Sequence, residues 1–421
     1  MLPARVKRIS GLSAIAPFEE AGTDMLIDRR AVLVGALALI AAAPPRDAAV
    51  RAELDEAAKL PPTERLARLR RIDPRGLDTP IALDVSAALR GAELEAAIIG
   101  ATDIQARYAL LLRLQSGTDT TPAEAHAFAL DRARLLTART ARLLRDEGLV
   151  DGSVAERLRQ LTRDPRYLYS DDDAGRDRAV VDMNRWLDAA RARLPQQFGM
   201  IPPAVDRVSV RRMSSADEAA GKAGYRTIPS YDGSTPGAYF VDLHDIGRRP
   251  SWTLPSVVHH ETLPGHLLQL PLQDRAAPHP LRLRAAAGFV EGWGIYAEQL
   301  AAEAGAYAQD RRAEIGYLQW LLFRLGRAMV DVGINAFGWT DAAALAFLRD
   351  LQGDPVIFAS FEKDVARVHT EPGSYVAHVL NWLGFEQLVA RRRSGDARRV
   401  HDRLLAHGAA PLVLLAPLLA P

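Results

Sequence analysis

The sequence contains no cysteine. That removes disulfides, thiolate metal ligands and a cysteine nucleophile together, so any metal must be held by His, Asp or Glu. Lysine is scarce as well, occurring only at Lys7, Lys59, Lys222 and Lys363. Positive charge is therefore almost all arginine, and it is balanced, since the formal net charge of the 421 residues is +1. This gives no electrostatic reason for a nucleic-acid partner, and none is expected. No Gly-x-Ser-x-Gly occurs, so serine-hydrolase chemistry lacks its usual nucleophile turn. What is present is apolar content, 48% against 25% charged, enough to bury a large core.

Residues 1–46 read as a segment apart from the fold. "MLIDRRAVLVGALALIAAAPPRDAA" sets Arg29-Arg30 before an uncharged run from Ala31 to Ala43, with small residues before Pro44. This is the layout of a twin-arginine export signal, which places the expected protein in the periplasm. The run is short for a membrane span, and no stable span is expected once the signal is removed. Met25 precedes the pattern, so residues 1–24 read as an over-extended start.

Residues 47–421 read as one mainly α domain, a multi-helix bundle with a deep cleft. Residues 47–200 would form a helical wall and 201–421 the half that carries chemistry. Segments such as "GAELEAAIIGATDIQARYALLLRLQ" and "DRAVVDMNRWLDAARARL" repeat apolar residues at three- and four-residue spacing. Between about 205 and 243 the pattern shortens. "DRVSVRRM", "GYRTIPSYDG" and "GAYFVDLHD" read as a small β-sheet. "GAYFVDL" fits either an edge strand open to an extended peptide or an ordinary hairpin strand.

The chemistry concentrates in "VVHHETLPGHLLQL", residues 257–270. A regular zinc-hydrolase helix carries H-E-x-x-H, which puts both imidazoles on one face. Here His260-Glu261 and His266 are six residues apart, so at about 100° per residue an unbroken helix would separate them. Pro264 removes a helical N–H and Gly265 permits unusual dihedrals, so a break is expected that could return His266 to His260. Geometry alone leaves His259 and His260 both open, and the adjacent Glu261 favours His260. "GFVEGWGIYAEQL" then places Glu291 and Glu298 on one helical face among apolar residues. A carboxylate there needs a partner or a cation. Glu291 would complete a His2Glu zinc site, and Glu298 would orient a histidine or pair with an arginine.

These residues resemble the bacterial domain-of-unknown-function 885 family, which is distantly similar to gluzincin metallopeptidases of the thimet-oligopeptidase and carboxypeptidase-Taq type. The resemblance rests on "HETLPGHLLQ" and "EGWGIYAEQL", and continues in "RLGRAMVDVGINAFGWT" and, more weakly, "DPRYLYSDDD", "PGAYFVDL" and "EPGSYVAHVLNWLGF". It implies one zinc ion per chain held by His260, His266 and Glu291, with Glu261 as general base acting on a water. Tyr375, His378, Tyr239 and Arg327 are the candidate oxyanion donors; Tyr375 and His378 fall on the catalytic side, and Tyr239, Arg327 and Asn335 on the substrate side. Two positions depart from the family pattern, with Asn335 standing where relatives commonly have histidine and His378 where they tend to have tyrosine.

The expected activity is zinc-dependent hydrolysis of short peptides or small amides. The alternatives are a catalytically weak relative that binds periplasmic peptides, and a hydrolase of non-peptide amides or esters. Manganese or iron suit the same ligands. Other chemistry-bearing residues have plainer readings. Arg324, Arg327 and Asp331 fit an ion-pair ladder along one helix, or more sharply a clamp for a substrate carboxylate. Trp320, Trp339 and Trp382 fit the core, and the apolar tail from Ala409 fits docking on the bundle.

Overall fold

A computed structural model describes residues 45–354, 360–391 and 397–419. The expected export signal lies outside them. Arg46–Pro421 forms one compact unit, and it is mainly α-helical with one small sheet.

Helix starts follow local chemistry. Asp103 caps Ile104–Ser116 by accepting from the Ala106 N–H at 2.7 Å. Thr121 and Glu124 form a reciprocal capping box on Pro122–Asp146. The Arg311–Phe337 helix is buried on most of its circumference, as its sequence, apolar nearly all round, requires. It packs most extensively on Pro122–Asp146 and also on Ser374–Ala390, so N-terminal and C-terminal helices share one core running from Leu83 to Leu419. The C-terminal tail docks on that core, with Leu412 and Leu415 buried in the Leu412–Leu418 helix. Trp320 and Trp382 are buried, and Trp339 packs on a smaller cluster with Val330 and Phe361. No described helix is long and apolar enough to cross a membrane.

The sheet comprises β1 (Ser209–Arg212), β2 (Tyr225–Thr227) and β3 (Ala238–Val241), in the order β1-β3-β2. β1 runs parallel to β3 and β2 antiparallel to it, with Arg226 opposite Tyr239. This corrects the edge-strand reading of "GAYFVDL". Its backbone groups pair on both sides, so β3 has no free edge for a peptide. Its burial on both faces fits that central place.

Candidate metal centre

The stretch at Pro264 forms a break between two helices. Leu254–Glu261 ends at Thr262, whose backbone leaves the helical region at φ −117° and ψ −99°. The Leu263–Pro264 peptide is cis. A second helix, His266–Ala276, begins directly after Gly265. Gly265 is obligatory, since a Cβ there would stand 1.9 Å from the His260 carbonyl oxygen and 2.5 Å from that of His259. Trp293 pins the turn by donating its indole N–H to the Pro264 carbonyl at 3.0 Å.

The break returns His266 to His260. Their Nε2 atoms are 3.2 Å apart. Glu291 completes the group, with its carboxylate oxygens 3.5 Å from Nε2 of His260 and 3.6 Å from Nε2 of His266. Ligand atoms set tetrahedrally about 2.0–2.1 Å from a zinc ion lie roughly 3.3 Å from one another, so the donor set fits that ion. Among the described residues it is the one cluster with this capacity. His259 turns elsewhere, with Nδ1 3.2 Å from the Leu263 carbonyl oxygen and its ring edge-on to Tyr307.

The helix Phe289–Glu303 is shaped to receive the His260 ring. Glu291, Gly294 and Glu298 lie at i, i+3 and i+7, one stripe of its surface. A Cβ at Gly294 would stand 2.4 Å from His260 Cε1, so the glycine of "EGWG" makes room for the imidazole. Glu298 then accepts from His260 Nδ1 at 2.9 Å, from Ser256 Oγ at 2.6 Å and from Arg324 Nη2 at 2.8 Å. Arg324 Nη2 also lies 3.0 Å from His260 Nδ1, but a guanidinium only donates, and the carboxylate is the stronger acceptor for both groups. We therefore place the proton on Nδ1, which leaves the Nε2 lone pair of His260 facing Glu291 and His266.

Burial and Arg324 oppose the charge on His260, yet the Glu291 and Glu298 carboxylates outweigh them and raise its pKa, so metal binding there would displace a proton. Burial opposes the charge on Glu298, yet Arg324 and His260 outweigh it and hold its pKa below the usual carboxylate range. Burial likewise opposes the charge on Glu291, and the two imidazoles hold its pKa well below that range. Burial, with Arg226 adding to it, pushes His266 well below the usual imidazole value and keeps it neutral. His260 and His266 are buried, whereas the Glu291 side chain keeps 35% of its surface exposed, so the centre opens to solvent on the Glu291 side.

Glu261 is not among the three ligands. Its carboxylate forms an ion pair with Arg226 on β2. Tyr239 stands across the strand pair from Arg226 and is buried; burial pushes its pKa up, and the Glu261 charge adds to that. Glu261 and Tyr239 thus meet through an arginine that the sequence reading missed. Nothing in "GYRTIP" distinguishes it from the chain's other arginines.

The remaining candidates form a neighbouring group. Arg327 stacks on the Tyr375 ring, 3.7 Å from its centroid, and pairs with Asp364 at 2.8 Å. The Tyr375 hydroxyl is held by Arg327 and lies 3.2 Å from Asp364. His378 stands one turn on from Tyr375 with ring centroids 6.3 Å apart, and burial pushes its pKa down to about 4. Asn335 donates to the Asp331 backbone carbonyl and carboxylate, each at 3.1 Å, and Asp331 also accepts from Tyr108 at 3.0 Å and from the Gly373 N–H at 2.9 Å. The ladder expected along Arg324, Arg327 and Asp331 is therefore absent, because each turns to a different partner.

These features define a mainly helical protein with a candidate two-histidine, one-glutamate metal centre built on a broken helix. The chain belongs to the family described as "Bacterial protein of unknown function (DUF885)", which matches residues 6–419. Similar solved structures include two described as lipoproteins. One is a "putative lipoprotein" from Colwellia psychrerythraea, with 25% identity and a TM-score of 0.67 over 89% of this chain; the chain spans 65% of the length of that protein. The other, described as a "putative lipoprotein of unknown function" from Shewanella oneidensis, shares the fold at 16% identity, with a TM-score of 0.62 over 88% of this chain and 73% of its own. No curated protein matches the sequence.

Proposed function

We propose that this protein is a zinc-dependent hydrolase that cleaves amide bonds of short peptides. The observation that carries the reading is the spacing of His260, His266 and Glu291, 3.2 to 3.6 Å between donor atoms, with Glu261 directly following the first ligand. Bound there, a divalent metal would supply Lewis acidity, polarising a carbonyl and acidifying water. Glu298 would hold His260 in the tautomer that presents Nε2. Glu261 would take a proton as the water oxygen bonds to the carbonyl carbon, and return it to the amide nitrogen as the C–N bond breaks. Tyr239, whose strand partner Arg226 pairs with Glu261, and His378, one turn on from Tyr375, would contact the substrate.

The Arg29-Arg30 pattern supports export, and so do two fold relatives described as lipoproteins. This sequence offers no cysteine thiol for lipid attachment. The test is cleavage of a mixed peptide library by zinc-loaded protein and by Glu261→Gln. Cleavage lost in the variant, with metal retained, is the expected result. Tight peptide binding by both without cleavage would instead make the protein a peptide-binding relative, and cleavage confined to non-peptide amides or esters would change the substrate class.

A further inference from the structure

Two carboxylates, Glu291 and Glu298, face the histidines of this centre, and a third, Glu261, directly follows His260 in the chain; negative charges set this close in the fold repel unless each has a partner. Glu298 has Arg324, and Glu291 faces the two Nε2 atoms with which it would share a metal ion. Glu261 is placed worst. It closes the Leu254–Glu261 helix, at the end where the helix dipole disfavours negative charge. Its counter-charge comes from outside the helical frame, from Arg226 in the middle of β2.

The sheet fixes where that arginine stands. Arg226 is directly opposite Tyr239 in the antiparallel β2–β3 pair, so the two side chains share one face of the sheet. β3 is held on its other side by β1, which makes β2 the strand that brings a charge to the centre from a rigid support. The pair is largely shielded, with 26% of the Arg226 side chain and 19% of the Glu261 side chain exposed, so solvent screens it only in part. A glutamate rotates about three side-chain bonds, and a planar guanidinium held on a strand restricts those rotations.

We propose that Arg226 is the positioning residue for Glu261, so that the short sheet, and not the helix carrying Glu261, sets the direction in which the general base points. This rests on the hydrolase reading. It also gives the sheet a role beyond packing, since its paired strands leave β3 no edge for a peptide.

The test compares full-length wild type with Arg226→Ala, Arg226→Lys, Glu261→Gln and the double variant Arg226→Ala/Glu261→Gln. Zinc content should be the same in all. On a peptide taken from a cleaved library, Arg226→Ala should lower kcat roughly 10- to 100-fold with KM little changed, and Arg226→Lys should recover part of the loss. The double variant should be no slower than Glu261→Gln alone, because Arg226 acts through Glu261. A second readout needs no turnover. In metal-free protein, Arg226→Ala should lower Tm in the wild-type background and leave it unchanged in the Glu261→Gln background. Additive kinetic losses with a raised KM would make Arg226 a substrate-binding group and overturn the proposal, as would equal Tm shifts in both backgrounds. Zinc-loaded wild type that cleaves nothing would sink the hydrolase reading, while the melting comparison would still decide whether Arg226 holds Glu261.

Discussion

Nε2 of His260 and Nε2 of His266 lie 3.2 Å apart although the residues are six positions apart in the chain. An unbroken helix cannot bring them together, because about 600° of rotation leaves them on different faces. The break at Pro264 and Gly265 is therefore the structural basis of the candidate centre, and the backbone there carries as much of the account as the ligands do.

Gly265→Ala should be severe. Its Cβ would overlap the His260 carbonyl oxygen, so the turn must open or the helices must shift. The expected loss is roughly 2–4 kcal/mol of stability, together with loss of bound zinc. Thermal unfolding and metal analysis of the variant check both, and a variant melting like wild type with metal retained would refute this reading of the turn.

Gly294→Ala should separate the site from the fold. The added methyl meets the His260 imidazole, a side chain, and not backbone. Metal content should fall while far-UV circular dichroism stays that of wild type. Unchanged metal content would mean that the ring tolerates a different seat.

Glu298→Gln keeps the shape of the side chain but removes the charge that holds His260 and Arg324. Loss of such a supporting carboxylate weakens metal binding by roughly 10–100-fold. It also leaves the Arg324 guanidinium, 13% exposed, without its ion pair. Competition against a chromophoric chelator measures the affinity, and wild-type affinity in the variant would remove Glu298 from the account.

Asp331 gives a pH prediction away from the metal centre. Burial pushes its pKa up to about 6, against about 3.9 in an unfolded chain. Between those values the native state binds more protons than the unfolded state, so this group's contribution to stability falls as pH rises from about 4 to about 6 and is constant above. Chemical denaturation of wild type and Asp331→Asn should show wild type gaining on the variant as pH drops through that window, by up to about 3 kcal/mol. A difference that stays flat from pH 7 to pH 4 would contradict it.

The candidate triad was legible in part because its motif is local. A Pro-Gly break and two glutamates seven apart narrow the geometry, but spacing leaves His259 and His260 both open, and the adjacent Glu261 and the family resemblance select His260. Helices with alternating caps and apolar stripes were legible for the same reason, as was the presence of three short strands. What escaped depends on tertiary contact. Arg226 reaches Glu261 from 35 residues away in sequence, through a strand pairing that no periodicity encodes. The order of the sheet, with "GAYFVDL" central, depends on β1 returning parallel to β3 across the intervening β2. Helical spacing shows which residues share a face, but the partners of Arg327 and Asp331, namely Asp364, Tyr375, Tyr108 and Gly373, come from other elements.

The most direct test of the central claim is metal content by mass spectrometry on purified wild type and on His260→Ala, His266→Ala and Glu291→Ala. Wild type should hold one zinc per chain, lost in each variant while the protein stays folded. No metal in wild type even after zinc is added, or metal retained in all three variants, would contradict it.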